Sequence, residues 1–120
     1  MNVRRERITS LEIENISHNF GGEDHLFKDI SYSIPLGKII VLEGGLGSGK
    51  SLLLRVVAGL FDTTKGNVIY NKKRLRDLSF EESVPMRLST SICFENGGLL
   101  MNKTLSENIK LPLLYHSQWR

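Results

Sequence analysis

The sequence predicts an α/β fold in which a small antiparallel β subdomain precedes a strand–loop–helix core. Three observations carry this expectation. Lys38 to Leu42 (KIIVL) is a short, continuous apolar run rich in β-branched residues, the pattern of a strand buried on both faces. After the glycine-rich stretch from Gly44 to Gly49, the residues Leu52, Leu53, Leu54, Val56, Val57 and Ala58 cover most of a helix circumference. Upstream of both, apolar and polar residues alternate with the period of two that marks half-exposed strands.

Taken in order, Leu11, Ile13 and Asn15 alternate with Glu12, Glu14 and Ile16, which suggests the first strand. A turn follows at Gly21-Gly22-Glu23-Asp24. A second strand runs from Phe27 to Ile34 and places Ile30, Tyr32 and Ile34 on one packing face, before Pro35 and Gly37 punctuate a tight turn. The KIIVL strand leads through the glycine loop into a buried helix from Lys50 to about Leu60, which Gly59 is placed to stop. A small hairpin comes next: Gly66, a strand from Asn67 to Tyr70, a turn at Asn71-Lys72 and a short return. A short helix is expected from Ser79 to Val84, interrupted by Pro85. Thr90 to Phe94 reads as another buried strand, and Thr104-Leu105-Ser106-Glu107 as a helix start with a capping box.

Composition narrows the function classes. The chain has 120 residues, 40% hydrophobic and 24% charged, which fits a globular unit and excludes a disordered or fibrous one. Single α/β domains often run to about 200–250 residues, so the chain is expected to be part of one. Lys and Arg number 16 against 13 Asp and Glu, a net charge of +3. The basic clusters Arg4-Arg5-Arg7 and Lys72-Lys73-Arg74-Arg76 lack interleaved aromatic residues, so they are expected to be solvated faces and no nucleic-acid partner is expected. The single cysteine, Cys93, lies in the apolar triplet Ile92-Cys93-Phe94 and reads as a small core hydrophobe suited to a reducing compartment. The N-terminus lacks the apolar region of a secretory signal. The apolar segment Leu52–Phe61 is too short to cross a bilayer and is broken by Arg55.

The chemistry is concentrated in Gly44-Gly45-Leu46-Gly47-Ser48-Gly49-Lys50-Ser51, which matches the P-loop pattern G-x-x-x-x-G-K-[ST] without a mismatch. Glycines allow the backbone to fold into a concave nest whose N–H groups converge on one anion. A helix that starts near Lys50 adds the positive end of its dipole at the same point. Lys50 supplies a full charge for the β- and γ-phosphates, and the Ser51 hydroxyl is a hard oxygen ligand suited to Mg²⁺. A nucleoside triphosphate with magnesium is the ligand this loop implies.

The loop alone does not choose among kinases, GTPases and ATPases. The run LFKDISYSIPLGKIIVLEGGLGSGKSLLLRVVAGL from Leu26 to Leu60, the turn at Thr63-Thr64-Lys65-Gly66, the hairpin and then SICFENGGLLMNKTLSENI closely resemble, in order, an ABC-type ATP-binding domain. The likeness covers about Leu11 to Leu114. It implies a P-loop NTPase core that stops before the helical subdomain, with residues 1–120 as the N-terminal part of such a domain. It implies ATP and Mg²⁺ as cofactors, with Phe20 stacking on adenine and the loop from Gly44 to Leu52 holding the phosphates. A π-face contact of that kind is worth roughly 1–3 kcal/mol per base, by analogy with nucleic-acid stacking. It further implies transmembrane permease partners, a second ATP-binding subunit in a head-to-tail dimer, and a cytoplasmic place on the inner face of the cell membrane. The stretch from Gly97 to Leu113 is somewhat similar to ATPases of lipid importers related to mammalian-cell-entry systems.

Three departures qualify the resemblance. Glu95 stands where the family usually has the Q-loop glutamine that contacts magnesium and the attacking water; beside a triphosphate a carboxylate must ligate the metal, pair with a cation or take up a proton. A competing reading makes LSTSICFE a Walker B strand with Glu95 as its acid. Leu52 replaces a second hydroxyl facing the α-phosphate. No LSGGQ-like signature, Asp-Glu-ended strand or switch histidine occurs in the 120 residues, so no complete catalytic set is expected and the chain alone should not turn over ATP. His18, His25 and His116 are expected on the surface. The alternatives are a non-catalytic nucleotide-binding module and a soluble ABC-type ATPase not tied to transport. A GTPase would need N-K-x-D, and Asn102-Lys103-Thr104-Leu105 lacks the Asp.

Overall fold

A computed structural model describes residues 5–21 and 24–115. Gly22, Glu23, Arg4 and His116 therefore lie outside the described residues. The chain divides into two compact units, one of residues 5–91 and one whose described part is residues 92–115.

The first unit is built on a four-stranded antiparallel sheet of β1 (Leu11–Asn19), β2 (His25–Ser33), β3 (Lys65–Tyr70) and β4 (Lys73–Arg74), in the order β2-β1-β3-β4. Between β2 and β3 the chain forms helix α1 (Lys50–Val57), and after β4 a 3-10 turn leads to α2 (Phe80–Arg87). The hairpin β3–β4 follows from its turn: Asn71 and Lys72 have φ of 49° and 66°, the left-handed pair that matches the twist of two-residue hairpins. The Asn71 side chain then ties in the N-terminal segment, accepting from the Thr9 and Ser10 N–H groups at 2.7 and 3.2 Å and donating to the Arg7 carbonyl at 2.8 Å.

The strict alternation read from Leu11 to Ile16 does not persist. Asn15 adopts φ 48° and Asp29 on the partner strand φ 50°, and the β1–β2 register shifts around them. This bulge turns Ile16, Ser17 and His18 inward in succession. The Ser17 hydroxyl supports it by accepting the Asp29 N–H at 2.9 Å. Gly66 fits the same level on β3, because a Cβ there would stand 2.4 Å from the Asn15 carbonyl oxygen.

The core is Ile13, Ile16, Phe27, Val56, Val68, Tyr70 and Met86, which places α1 and α2 on one face of the sheet. Gly59, at φ 70°, ends α1 as the sequence indicated, and the Leu60 N–H returns to the Arg55 carbonyl at 2.8 Å. Two side chains satisfy carbonyls left over at that end. The Tyr70 hydroxyl donates to the Val57 carbonyl, and Arg87 donates to that of Gly59 at 2.7 Å. Burial pushes the Tyr70 phenol up to about 12.

Several expectations are corrected. The helix spans Lys50–Val57, shorter than expected, and only Val56 of it is buried, so α1 covers the sheet with one face while Leu54 meets solvent. Tyr32 is 52% exposed although it pairs with the buried Ile13, because β2 is an edge strand of the sheet. Pro85 does not interrupt α2: the helix opens on a Ser79–Glu82 capping box and loses only the bond to the Glu81 carbonyl, while Met86 anchors its far end. His18 is buried at 8% exposure. Lys38–Leu42 is no strand and is solvent-exposed, Ile39 at 97%. Residues 90–94 likewise form no strand, and Cys93 is exposed. A doubly buried strand needs hydrogen-bonded neighbours and a covered face on each side, and none of the described strands pairs with either run.

In the second unit, α3 (Leu105–Tyr115) starts at the capping box read from the sequence. The Thr104 N–H donates to Glu107 at 2.8 Å and the Glu107 N–H returns to the Thr104 hydroxyl at 3.3 Å. The Thr104 N–H, and after it the Thr104 hydroxyl donating at 2.8 Å, hold the Glu107 carboxyl below its ordinary range. Asn108 closes the loop before the helix, exchanging bonds of 2.8 and 3.2 Å with the backbone of Leu100.

Candidate functional site

The glycine loop occupies the segment between the turn after β2 and the start of α1, and its geometry follows from its residue types. Gly47 and Gly49 adopt φ of 75° and 86°, a backbone that L side chains rarely enter. Gly49 is also the N-cap of α1, with no side chain closing the helix end. A helix start without a side-chain cap is the arrangement that suits an anion. A Cβ at Gly49 would lie 2.9 Å from Leu26 and 3.0 Å from Phe27, so the loop passes flush against β2. A Cβ at Gly44 would stand 2.7 Å from the Ser48 hydroxyl, across the concave side of the loop.

Lys50 spans that concavity. Its ammonium donates to the carbonyls of Gly44 and Gly45 at 2.7 and 2.6 Å and to the Ser48 hydroxyl at 3.3 Å. A full positive charge is thus held at the mouth of the nest by atoms of the nest itself. Ser51 follows in the first turn of α1, Leu46 stands exposed at the tip, and Leu52 is half-buried toward the core. The fit to a polyphosphate is good: a loop closed against a side chain at Gly44 and Gly49, a helix N-terminus without a side-chain cap and a fixed cation. Ser51 adds the oxygen donor a magnesium ion prefers.

Phe20, at the end of β1, is 77% exposed, so its ring face is open to a planar ligand. It stands edge-on to His18, with centroids 5.1 Å apart and an interplanar angle of 88°. His18 in turn meets Phe27, the ring that lies against Gly49. Phe20 and the loop thus share one unit and one aromatic cluster. Glu95 belongs to the second unit, exposed in the turn before Gly97. Among the described residues no group of three or more His, Cys, Asp or Glu gathers as a metal cluster. His18 escaped sequence reasoning as a member of the cluster, because a lone histidine on an alternating strand carries no signal of its tertiary neighbours.

The sequence profile described as "ABC transporter" matches residues 27–120. The chain belongs to the ABC transporter family. It is 37% identical over 103 residues to the methionine import ATP-binding protein of Clostridium acetobutylicum, a match covering 86% of this chain and 32% of the relative. It is 28% identical over 109 residues to the probable ribonucleotide transport ATP-binding protein of Mycobacterium tuberculosis, covering 91% of this chain and 30% of that one. The ABC chain therefore spans about a third of the length of the curated relatives it matches. Among solved structures, a dimeric ATP-binding cassette in a post-hydrolysis state bound to ADP and Pi superposes with a TM-score of 0.75 at 26% identity, over 90% of this chain and 48% of that one. An ATP-bound bacterial exporter at 18% identity, TM-score 0.74, shares the fold over 92% of this chain and 19% of its own. The fold is that of the ATP-binding cassettes: an α/β, P-loop arrangement with an antiparallel β subdomain.

Proposed function

We propose that this ABC chain binds MgATP in an ATP-binding subunit that energises transport through partner permeases, with residues 1–120 forming the N-terminal, nucleotide-cradling part of that subunit's domain. The observation that carries the proposal is the Lys50 ammonium fixed across the uncapped start of α1 by the Gly44 and Gly45 carbonyls. In this reading Lys50 exchanges those carbonyls for the β- and γ-phosphates, while the N–H groups around Gly47 to Ser51 take the remaining oxygens. Ser51 holds magnesium, which when bound neutralises part of the triphosphate charge. Phe20 offers its exposed face to adenine. Glu95 is assigned to the metal or the attacking water; its carboxylate, in place of an amide, is also what favours the second reading, a nucleotide-binding module without catalysis.

Membrane association would come through a partner, since no helix among the described residues is long and apolar enough to cross a membrane. Leu105, Ile109 and Leu113 of α3 recur at helical spacing and are all exposed, an apolar stripe that supports docking of the second unit on a permease. The relatives' names speak of methionine and ribonucleotides, and the likeness to lipid-importer ATPases rests on the Gly97–Leu113 stretch alone.

The test is Lys50→Ala in the full chain, with MgATP affinity measured by calorimetry. Removing hydrogen bonds to a charged group should lower affinity at least about 10- to 100-fold. Unchanged affinity would refute the site.

A further inference from the structure

Among the described residues, His18 is a buried titratable side chain near the loop whose polar atoms its packing does not satisfy. At 8% exposure it lies inside the sheet, yet neither ring nitrogen has a hydrogen-bond partner among the described residues. Leucine would fill such a place without burying two unsatisfied polar atoms, but it would bring no ring to set against the aromatic neighbours. What the ring does touch is specific. It meets Phe20 edge-on at 5.1 Å, Phe61 edge-on at 5.3 Å and Phe27 at 6.1 Å. Phe61 follows the end of α1, and Phe27 lies against Gly49 at the other end of that helix.

We propose that His18 is a positioning residue for the base platform: it packs T-shaped against the Phe20 ring and fixes the platform relative to the phosphate loop through Phe27. The edge-to-face geometry suits this task. A T-shaped contact sets a positive ring edge against a π-face and resists tilting, and Phe20, 77% exposed, keeps ring surface open to a ligand. An exposed aromatic ring without such a support would sample several rotamers, and a ligand stacking on it would have to order it first.

The inference rests on the assignment of Phe20 to the base, so the experiment separates the two. Full-length chains carrying Phe20→Ala, His18→Leu or His18→Phe are titrated by calorimetry with MgATP and with magnesium tripolyphosphate, and their melting midpoints are recorded. Both Phe20→Ala and His18→Leu should lower ATP affinity, His18→Leu by about 2- to 10-fold, with tripolyphosphate affinity unchanged. His18→Phe, which restores a ring, should recover most of the difference. His18→Met fills a similar volume without a ring and carries the same expectation if the leucine variant melts early. A wild-type ATP-to-tripolyphosphate ratio in His18→Leu, with that of Phe20→Ala lowered, overturns the positioning role and leaves the platform standing. A wild-type ratio in Phe20→Ala removes the platform and this inference with it. A phenylalanine variant as weak as the leucine one also overturns it, because then the ring contact is not what matters.

Discussion

Two kinds of apolar strand-like segment occur in this chain, and they end differently. Leu11–Asn19 is interrupted by charges and by a bulge, yet it becomes the centre of a sheet with Ile16 fully buried. Lys38–Leu42 is the more continuous apolar run, yet it stays unpaired with Ile39 at 97% exposure. The difference lies in where the partners come from. β1 finds β2 through a short connection and β3 through a register that Gly66 permits by lacking a side chain, both within the same unit. A strand of the doubly buried type depends on neighbours delivered by long crossovers, and none of the described strands serves it. Apolar content makes a segment able to be buried; partner supply decides whether it is.

The largest expected effect tests that contrast directly. Ile16→Ala should destabilise the chain by about 2–5 kcal/mol, as core truncations do, whereas Ile39→Ala should stay within about 0.5 kcal/mol, as exposed positions do. Denaturant midpoints of the two variants against wild type measure this. Equal losses would mean that Lys38–Leu42 is buried in solution and would break the comparison.

What was legible in the sequence divides along the same line. Features set by neighbours in the chain were readable: the loop from its glycine spacing, the Asn71-Lys72 turn, the stop at Gly59, and the capping box at Thr104 and Glu107. Features set by distant residues were not. The bulge at Asn15 and Asp29 depends on register between strands, which no local pattern reveals. The burial of His18 depends on Phe61, forty-odd positions away in the chain. The exposure of Tyr32 follows from the edge position of β2, and that of Cys93 from the missing partners of its run. For the site, the loop residues were legible because phosphate chemistry dictates their types, while the support beneath Phe20 exists only in three dimensions.

A smaller effect concerns the helix starts of both units. Hydrogen bonds from the backbone N–H groups of Ser79 and Thr104, aided by their hydroxyls, hold the carboxyls of Glu82 and Glu107 below their ordinary value of 4.5. A folded-state value below the unfolded one means that this contribution is fully present above about pH 4.5 and is lost as pH falls through the lowered folded-state value. Melting midpoints recorded from pH 7 downward should therefore drop in acid, and the double variant Glu82→Gln/Glu107→Gln should show a shallower drop. Identical acid limbs would show that the caps carry no charge-dependent stability.

The central claim is that the nest from Gly44 to Ser51 is where this ABC chain meets its nucleotide. Backbone amide resonances followed through a titration of the full chain with MgATP test it most directly. The account predicts the largest shifts at the N–H groups of Gly47, Ser48, Gly49, Lys50 and Ser51, with a smaller set around Phe20. Saturable shifts that leave those amides unmoved and fall elsewhere in the chain would contradict it.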